Sequence, residues 1–253
     1  MHIELLNILG LSFIGSVAGL IGGVFFLVNK NAARILSKYA VPFAAGILLG
    51  TALLDLLPEA VELIDSNGYV ITLIAFLCSF LLEEGLAHLH HHEDREHTIE
   101  HHASVTLVIV GDTIHNFIDG VSIAAAYLTS PSMGVVITLA TFLHETPHEI
   151  GDFGILISKG WSRMKTFWAN FYSSLATFAG ALFVYFVISD SAKFIGIILA
   201  ISGGIFLYLG ASDFVPEIGE EKTGIKAWKK FMLLILGSLI MYIMTKYSIG
   251  HGH

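Results

Sequence analysis

The 253-residue chain has few charged residues, and this scarcity excludes most classes of protein. Only 13% of its side chains are Asp, Glu, Lys or Arg, whereas soluble domains have about a quarter. Hydrophobic residues make up 55% of the chain, and the mean hydropathy is +0.75. This composition excludes a water-soluble enzyme, a disordered protein and a fibrous protein. It predicts a polytopic membrane protein whose main partner is the lipid bilayer.

Cysteines and nucleotide-binding signatures are also scarce. Cys78 is the only cysteine, so the chain has neither a disulfide framework nor a cage of thiolate metal ligands. The phosphate-binding pattern G-x-x-x-x-G-K-[ST] does not occur, so we do not expect this chain to contain a P-loop ATPase. We also expect no enzymatic activity, no resident cofactor and no nucleic-acid partner.

Eight apolar runs are long enough to cross a bilayer core, which needs about 20 apolar residues per helix. These runs, called spans one to eight, cover residues 5–28, 40–59, 68–87, 104–128, 133–157, 166–188, 193–215 and 228–247. They lack the polar and apolar alternation of transmembrane strands. The sequence therefore predicts an all-α fold of eight transmembrane helices in one domain, residues 1–253. Span one has no basic start, so we expect a retained helix and not a signal peptide.

Basic residues predict the direction of the spans. Of the 13 Lys and Arg residues, all except Lys193 and Lys246 fall on one side of an eight-span chain. By the positive-inside rule that side is cytoplasmic, so both termini are expected outside. We expect a multi-pass protein of the plasma or inner membrane.

Spans two and seven end in the same pattern at an offset of 158 positions. The matching residues are Gly46, Asp55, Pro58 and Glu59 in span two and Gly204, Asp213, Pro216 and Glu217 at the end of span seven. Because the two spans would run in opposite directions, this predicts an inverted repeat of spans 1–3 and 6–8 around central spans 4–5. Such repeats are typical of secondary transporters. A chance helix-end pattern is the alternative.

Spans four and five carry polar side chains at bilayer depth, where they are costly and indicate function. The set comprises Asp112, His115, Asn116, Asp119, His144, Glu145, His148, Glu149 and Asp152. Histidines and their partners recur at i and i+4, which places them on one helix face. Imidazoles with carboxylates suit Zn²⁺, Fe²⁺ or Mn²⁺. A structural hydrogen-bond network is the alternative.

The expected metal ligands form a subset of these residues. They are His115, Asn116, Asp119, His144, Glu145, His148 and Glu149. Asp112 and Asp152 lie farther along the helices, where they either orient the histidines or lie near an exit path.

Residues 144–148 also read H-E-x-x-H, the zinc-protease signature, in which Glu145 would act as general base. An intramembrane zinc protease is therefore the alternative function. Pro147 is unexpected in a catalytic helix, and span four offers more ligands than a three-ligand catalytic zinc needs. We favour a transporter.

The motifs H-N-F-I-D-G (115–120) and H-E-T-P-H-E-I-G-D-F (144–153) resemble the two signatures of the ZIP (Zrt/Irt-like) family of metal transporters. The second resembles the H-E-x-P-H-E-x-G-D-F form of its large zinc-transporter subfamily. Because the eight expected spans also fit the family, the resemblance covers the whole chain. It implies import of a divalent metal toward the cytoplasm by alternating access, with zinc first and Fe²⁺, Mn²⁺ or Cd²⁺ as other substrates.

The resemblance also implies a binuclear site between spans four and five. One position would use His115, Asp119 and His148, and the other would use Asn116, Asp119, His144, Glu145 and His148. Span six would add a polar ligand, with Asn170, Ser173 and Ser174 as the open candidates. The family's arrangement implies that spans one, four, five and six move against the others. It is compatible with a homodimer, although the subfamily's long N-terminal ectodomain has no counterpart here.

Residues 88–103 form a histidine-rich segment between spans three and four. Its histidines are His88, His90, His91, His92, His97, His101 and His102. With the acidic residues among them, they predict a cytoplasmic loop that binds metal at variable geometry. A polar loop that happens to be rich in histidine is the alternative.

Overall fold

The computed structural model describes residues 2–91, 100–188, 191–214 and 226–249, and the regular structure in these ranges is helical. The first half contains α1 (His2–Gly15), a 3₁₀ turn (Val17–Leu20), α2 (Ile21–Val28), α3 (Lys30–Thr51), a π-helical segment (Ala52–Leu56), α4 (Leu57–Ile64) and α5 (Asn67–His91). This all-helical architecture confirms the predicted fold class at the level of secondary structure.

The second half begins with the two longest helices. Its elements are α6 (Glu100–Thr129), α7 (Pro131–Ser158), α8 (Arg163–Ser174), α9 (Ala176–Phe183), a π-helical segment (Val184–Ile188), α10 (Ala192–Tyr208), a π-helical segment (Leu209–Phe214) and α11 (Ala227–Ile249). Helical structure follows the eight predicted runs except at turns at Ser16 and Leu175, and residue 215 lies outside the described residues.

Several helices run beyond the apolar residues that predicted them. The helix of span two begins at Lys30, ten positions before the run at 40–59, because Asn29 caps it there. The Asn29 side chain accepts a hydrogen bond from the Ala32 amide, 3.0 Å away, and so satisfies a backbone donor that the first helical turn leaves free. The sequence pattern located the apolar part of this helix but not its polar start.

Within the described residues, five helical segments are long and apolar enough to cross a membrane. They are Ile3–Val28, Lys38–Ile64, Arg163–Val187, Ala192–Ser212 and Ala227–Lys246, and Asn67–Leu82 is a shorter apolar helix. Helices α6 and α7 are not in this set because their ionisable residues interrupt the apolar pattern. Helices α6 and α7 are nevertheless buried, because they pack against other helices.

Helices α6 and α7 form the hairpin that carries the polar residues. Ser130 alone joins them, and its side chain caps α7 by accepting a hydrogen bond from the Met133 amide, 3.1 Å away. Helices α1, α2 and α3 pack on α7, and α8, α9 and α10 pack on α6. Buried small residues permit this close packing, as in other membrane helices. The hairpin is thereby enclosed on several sides.

Candidate metal centre

Four predicted ligands converge in the middle of the α6–α7 hairpin. His115 and Asp119 come from α6, and His144 and Glu145 come from α7; all four are buried, and their ligand atoms lie within 4.8 Å of one another. His115 Nε2 is 2.9 Å from Glu145 Oε1 and 3.2 Å from His144 Nε2. His144 Nε2 is 3.4 Å from Asp119 Oδ2. We call this set the inner cluster.

The imidazole of His144 is oriented by its own helix. Its Nδ1 atom lies 3.0 Å from the carbonyl oxygen of Ala140, one turn earlier. A carbonyl oxygen can only accept, so Nδ1 carries a hydrogen, and Nε2 is the nitrogen available to a metal ion. Nε2 faces Asp119, as expected for a metal-binding histidine whose other nitrogen is held by a hydrogen bond.

The carboxylates of the inner cluster keep oxygen atoms that have no hydrogen-bond partner in the described part of the chain. Both oxygens of Asp119 and Oε2 of Glu145 are buried without a hydrogen-bond partner among the described residues. A buried ionised carboxylate costs several kcal/mol unless a cation or hydrogen bonds compensate it. Two imidazoles and two carboxylates form a donor set that suits zinc and related divalent ions. The cluster therefore has the chemistry to hold one.

His148 and Glu149 lie in two further groups. The ligand atoms of His148 meet those of Asp112 and Asp152, and Glu149 lies with Asp112 and Glu145. The His148 ring also stacks on His115, with 5.0 Å between ring centroids. The sharing of His148 and Asp119 by two metal positions, which the family resemblance implies, stays a prediction.

The amide of Asn116 is engaged by protein groups. Its Oδ1 atom accepts hydrogen bonds from Ser16 Oγ and from Thr177 Oγ1, 3.2 Å away. Its Nδ2 atom donates to Asp112 Oδ1 at 2.8 Å. Asn116 thus ties α6 to the end of α1 and to α9, and its expected role as a metal ligand stays a prediction. Sequence reasoning missed Ser16 and Thr177, for which polarity within apolar runs was the only signal.

The three candidates in span six are all buried, and each already makes a hydrogen bond. Asn170 Nδ2 donates to the Thr166 carbonyl oxygen at 2.8 Å, and Ser174 Oγ donates to that of Phe171 at 2.9 Å. Ser173 Oγ lies 3.0 Å from Thr113 Oγ1 on α6. The choice among them stays open.

Two sequence features lie partly outside the described residues. In the histidine-rich segment 88–103, residues 92–99 and all side chains are outside the description, as are residues 215–217, which complete the second copy of the D-x-x-P-E pattern. The role of the segment stays a prediction.

Several helices that are long and apolar enough to cross a membrane, together with a buried imidazole–carboxylate cluster, define a membrane protein with a candidate site for divalent metal ions. More particularly, the chain belongs to the ZIP zinc transporter family, whose sequence model matches residues 4–105 and 83–245. The resemblance seen in the two motifs is thereby confirmed. The family consists of transporters and not enzymes, and its metal ions are transported substrates and not cofactors.

Individual relatives carry the same family name. The chain is 35% identical over 150 residues to the metal cation symporter ZIP14 of Xenopus tropicalis, covering 56% of this chain and 32% of that protein. It is 34% identical over 146 residues to the zinc transporter ZIP4 of Homo sapiens, covering 56% and 22%. The zinc transporter ZIP13 of Pongo abelii is 28% identical over 263 residues, covering 93% and 78%.

The matches to ZIP14 and ZIP4 span a third or less of those proteins' lengths. The relatives are named as transporters, and they give no support to the protease alternative. The H-E-x-x-H pattern of residues 144–148 is therefore better explained as part of the longer family motif.

Proposed function

We propose that this protein transports a divalent transition metal, zinc foremost, across a membrane toward the cytoplasm. The inner cluster is the single observation that carries this proposal. It presents two imidazoles and two carboxylates in a buried place, and the carboxylates retain unpartnered oxygens. A divalent ion supplies the charge that these groups need.

Matching glycine contacts support the proposed inverted repeat and, with it, transport by alternating access. Gly46 and Gly204, 158 positions apart, occupy equivalent contacts: a methyl group on Gly46 would collide with Leu234 of α11, and one on Gly204 would collide with Thr72 of α5. Helices α11 and α5 belong to spans eight and three, which are themselves counterparts in the proposed repeat. Spans two and seven, which match in sequence, therefore also pack against counterpart helices at equivalent glycines.

A second glycine pair at the same offset extends the repeat to spans one and six. A methyl group on Gly22 would meet the carbonyl oxygen of Thr146, and one on Gly180 would meet that of Phe117. Phe117 and Thr146 are the third residues of the two signature motifs. Spans one and six thus approach α7 and α6 in matching ways, as expected when each half of the repeat holds one helix of the central pair.

Two of the three π-helical segments in the described residues also match at the offset of the proposed repeat. Residues 52–56 lie in one such segment, and residues 210–214, which are 158 positions later, lie in another. A π-helical turn alters the local hydrogen-bonding pattern of a helix and often lies at a functional site. Matching irregularities in spans two and seven support movement of one half of the repeat against the other around a central site.

In this proposal all eight helical segments cross the membrane, and both termini lie outside. Helices α6 and α7 cross although they are polar, because neighbouring helices shield their ionisable groups from lipid. The ion binds dehydrated between them, and a binuclear arrangement adds the groups around His148 to the inner cluster. The proposed location is the plasma or inner membrane, and the proposed assembly is a homodimer.

Uptake by proteoliposomes tests the function directly. Purified protein would be reconstituted and its zinc uptake compared with that of Glu145→Gln and of Glu62→Gln, an exposed carboxylate on α4 that serves as the matched control. Cleavage of a transmembrane peptide would be measured in parallel. We expect Glu145→Gln to weaken zinc binding and uptake together, and Glu62→Gln to leave both unchanged.

The protease alternative predicts a different result for the same variants. A general base is not a metal ligand, so Glu145→Gln would then retain zinc at full affinity and lose peptide cleavage. Absence of zinc uptake by folded wild-type protein, together with peptide cleavage, would overturn the proposed function.

A further inference from the structure

The connection between α7 and α8 is a backbone turn of defined geometry. Helix α7 ends at Ser158, and Gly160 follows it with a φ of 85°. The Trp161 amide donates to the carbonyl oxygen of Leu156 at 3.1 Å, and the Gly160 amide donates to that of Ile157 at 3.1 Å. These two bonds form a Schellman motif, in which glycine commonly takes the left-handed position. The chain therefore enters α8 at a fixed angle.

The start of α8 is fixed as well. The Ser162 side chain caps the helix by accepting a hydrogen bond from the Lys165 amide, 3.3 Å away. This bond serves a backbone donor that the first helical turn leaves free. The turn and the cap together hold the backbone of residues 159–165, so the side chains that this stretch exposes occupy a defined place.

This stretch concentrates positive charge. Lys159, Arg163 and Lys165 are all exposed, and none of them forms an ion pair with another described residue. The first turn of α8 contains no acidic residue, although cations there lie at the positive end of the helix dipole, which disfavours them. An anion outside the chain would offset this repulsion.

Exposed aromatic rings continue from these cations along α8. Lys165 Nζ lies 3.6 Å from the centroid of the Trp161 ring, which is a cation–π contact. Trp168 is 45% exposed and Tyr172 is 66% exposed, and their rings stack with centroids 5.9 Å apart. Lys165, Trp168 and Tyr172 are spaced by three and four residues and so share one helix face. We call Lys159, Trp161, Arg163, Lys165, Trp168 and Tyr172 the α8 surface.

The remaining faces of α8 belong to the protein interior, and its start lies at the edge of a membrane-crossing segment. Phe167 and Phe171 pack against a buried cluster that includes Phe153 of α7. The candidate span Arg163–Val187 begins at the first residue of α8, so the α8 surface lies where this span leaves the bilayer core. Tryptophan and tyrosine rings at such a place lie at the level of the lipid headgroups.

We propose that the α8 surface binds the headgroup of an anionic phospholipid. The three cations contact the phosphate and the negative charge of the headgroup, and the exposed rings lie against the glycerol and the upper acyl chains. A lipid has both an anionic and an apolar part, whereas a soluble phosphate would use the cations alone. In the proposed orientation this end faces the cytoplasm, where the negative surface potential of the leaflet attracts basic segments.

Quenching of tryptophan fluorescence by brominated lipids tests the proposal in nanodiscs. The chain has three tryptophans, so Trp228→Phe leaves Trp161 and Trp168 of the α8 surface as the reporters. The discs would contain phosphatidylcholine and an equal minor fraction of either brominated phosphatidylglycerol or brominated phosphatidylcholine. We expect stronger quenching by the anionic lipid, with an apparent affinity about fivefold higher for each cation that contacts it. Equal quenching by the two lipids would overturn the proposal.

Loss of the cations should remove this preference. The test variant combines Lys159→Gln, Arg163→Gln and Lys165→Gln. The matched control removes the same charge from three exposed lysines elsewhere, by Lys193→Gln, Lys226→Gln and Lys229→Gln. We expect the test variant to be quenched equally by both lipids and the control to keep the preference. A preference that survives in the folded test variant would overturn the assignment to the α8 surface.

Single variants cover the case in which the triple variant does not fold. We expect Arg163→Gln and Lys165→Gln each to lower the apparent affinity for the anionic lipid by about fivefold, and Lys165→Arg to restore it. Unchanged affinity in both single variants would contradict the proposal.

A soluble headgroup distinguishes a lipid site from a simple phosphate site. Glycerol phosphate would be added to the nanodiscs with brominated anionic lipid. We expect quenching to persist, because glycerol phosphate lacks the acyl chains that lie on the rings. Complete displacement would assign the site to a soluble anion and overturn the lipid assignment. The assay measures lipid contact and not zinc uptake, so its outcome is independent of the proposed function.

Discussion

The Nδ1 atom of His144 donates a hydrogen bond to the carbonyl oxygen of Ala140, 3.0 Å away. This contact fixes the tautomer of the ring and directs Nε2 toward Asp119, 3.4 Å away. The helix that carries His144 therefore also helps to orient it. A nitrogen ligand at this position is expected to favour zinc over harder ions.

Replacing His144 by glutamate should change selectivity. A carboxylate is a harder ligand than imidazole and better suits Mn²⁺. It also adds a negative charge to a buried site, which strengthens the attraction of any divalent ion. We expect His144→Glu to keep transport and to raise the ratio of Mn²⁺ to Zn²⁺ uptake, measured in parallel in proteoliposomes. An unchanged ratio in folded, active protein would remove His144 from the groups that determine selectivity.

His148→Ala should act on all metals alike. Its imidazole stacks on His115 and belongs with Asp112 and Asp152, so its loss affects both this group and the inner cluster. We expect uptake of Zn²⁺ and Mn²⁺ to fall together, by about tenfold or more, as for loss of a group that supports a metal site. A selective loss of one metal would show that His148 serves a single, specific position.

The sequence predicted the hairpin and its ligand-bearing faces because the relevant spacings are local. His115 and Asp119, like His144 and His148, lie one helical turn apart, so helix geometry alone places each pair on one face. The inner cluster thus contains four of the expected ligands. The partners of Asn116 could not be predicted, because Ser16 and Thr177 belong to distant segments.

The division of the polar residues into separate groups also required three-dimensional structure. Asp152 lies one helical turn after His148 on α7. Asp112 is 40 positions before Asp152 in the sequence, and only the packing of α6 against α7 brings it to both residues. Periodicity predicts the face on which each residue lies but not the axial offset between two packed helices. The sequence therefore left open whether these aspartates orient histidines or lie near an exit path.

Removing the histidine-rich segment's imidazoles should separate binding from transport. Replacement of its seven histidines by serine changes only His101 and His102 in the first turn of α6 and leaves the inner cluster intact. We expect total bound zinc per chain to fall while uptake by proteoliposomes persists, measured by metal analysis and tracer uptake on the same preparation. Complete loss of uptake by folded protein would place this segment on the essential path.

The proposed membrane orientation can be checked by cysteine labelling. In a Cys78→Ser background, Lys159→Cys would report the connection after α7, and Asp65→Cys would report the connection between α4 and α5. Both positions are exposed. In intact cells we expect a membrane-impermeant maleimide to label the cysteine at 65 but not that at 159, which should react only after permeabilisation. The reverse pattern would invert the proposed topology.

The contact between α6 and α9 gives a final prediction, with its control on the same helix. A methyl group at Gly120 would collide with the carbonyl oxygen of Thr177, whereas a methyl group at Gly111 would meet nothing within 4 Å. Backbone cannot move aside as a flexible side chain does, so overpacking at Gly120 should cost about 1–3 kcal/mol of stability. Alanine at Gly111 should be neutral or slightly stabilising, because it suits a helix better than glycine.

Thermal unfolding of the two variants in detergent would compare these costs. We expect Gly120→Ala to unfold at a lower temperature than wild type and Gly111→Ala to unfold at the same or a higher temperature. Because Gly120 also follows Asp119, a displaced α6 should weaken zinc uptake as well. Equal unfolding temperatures for the two variants would show that α6 and α9 do not approach as closely as their packing indicates.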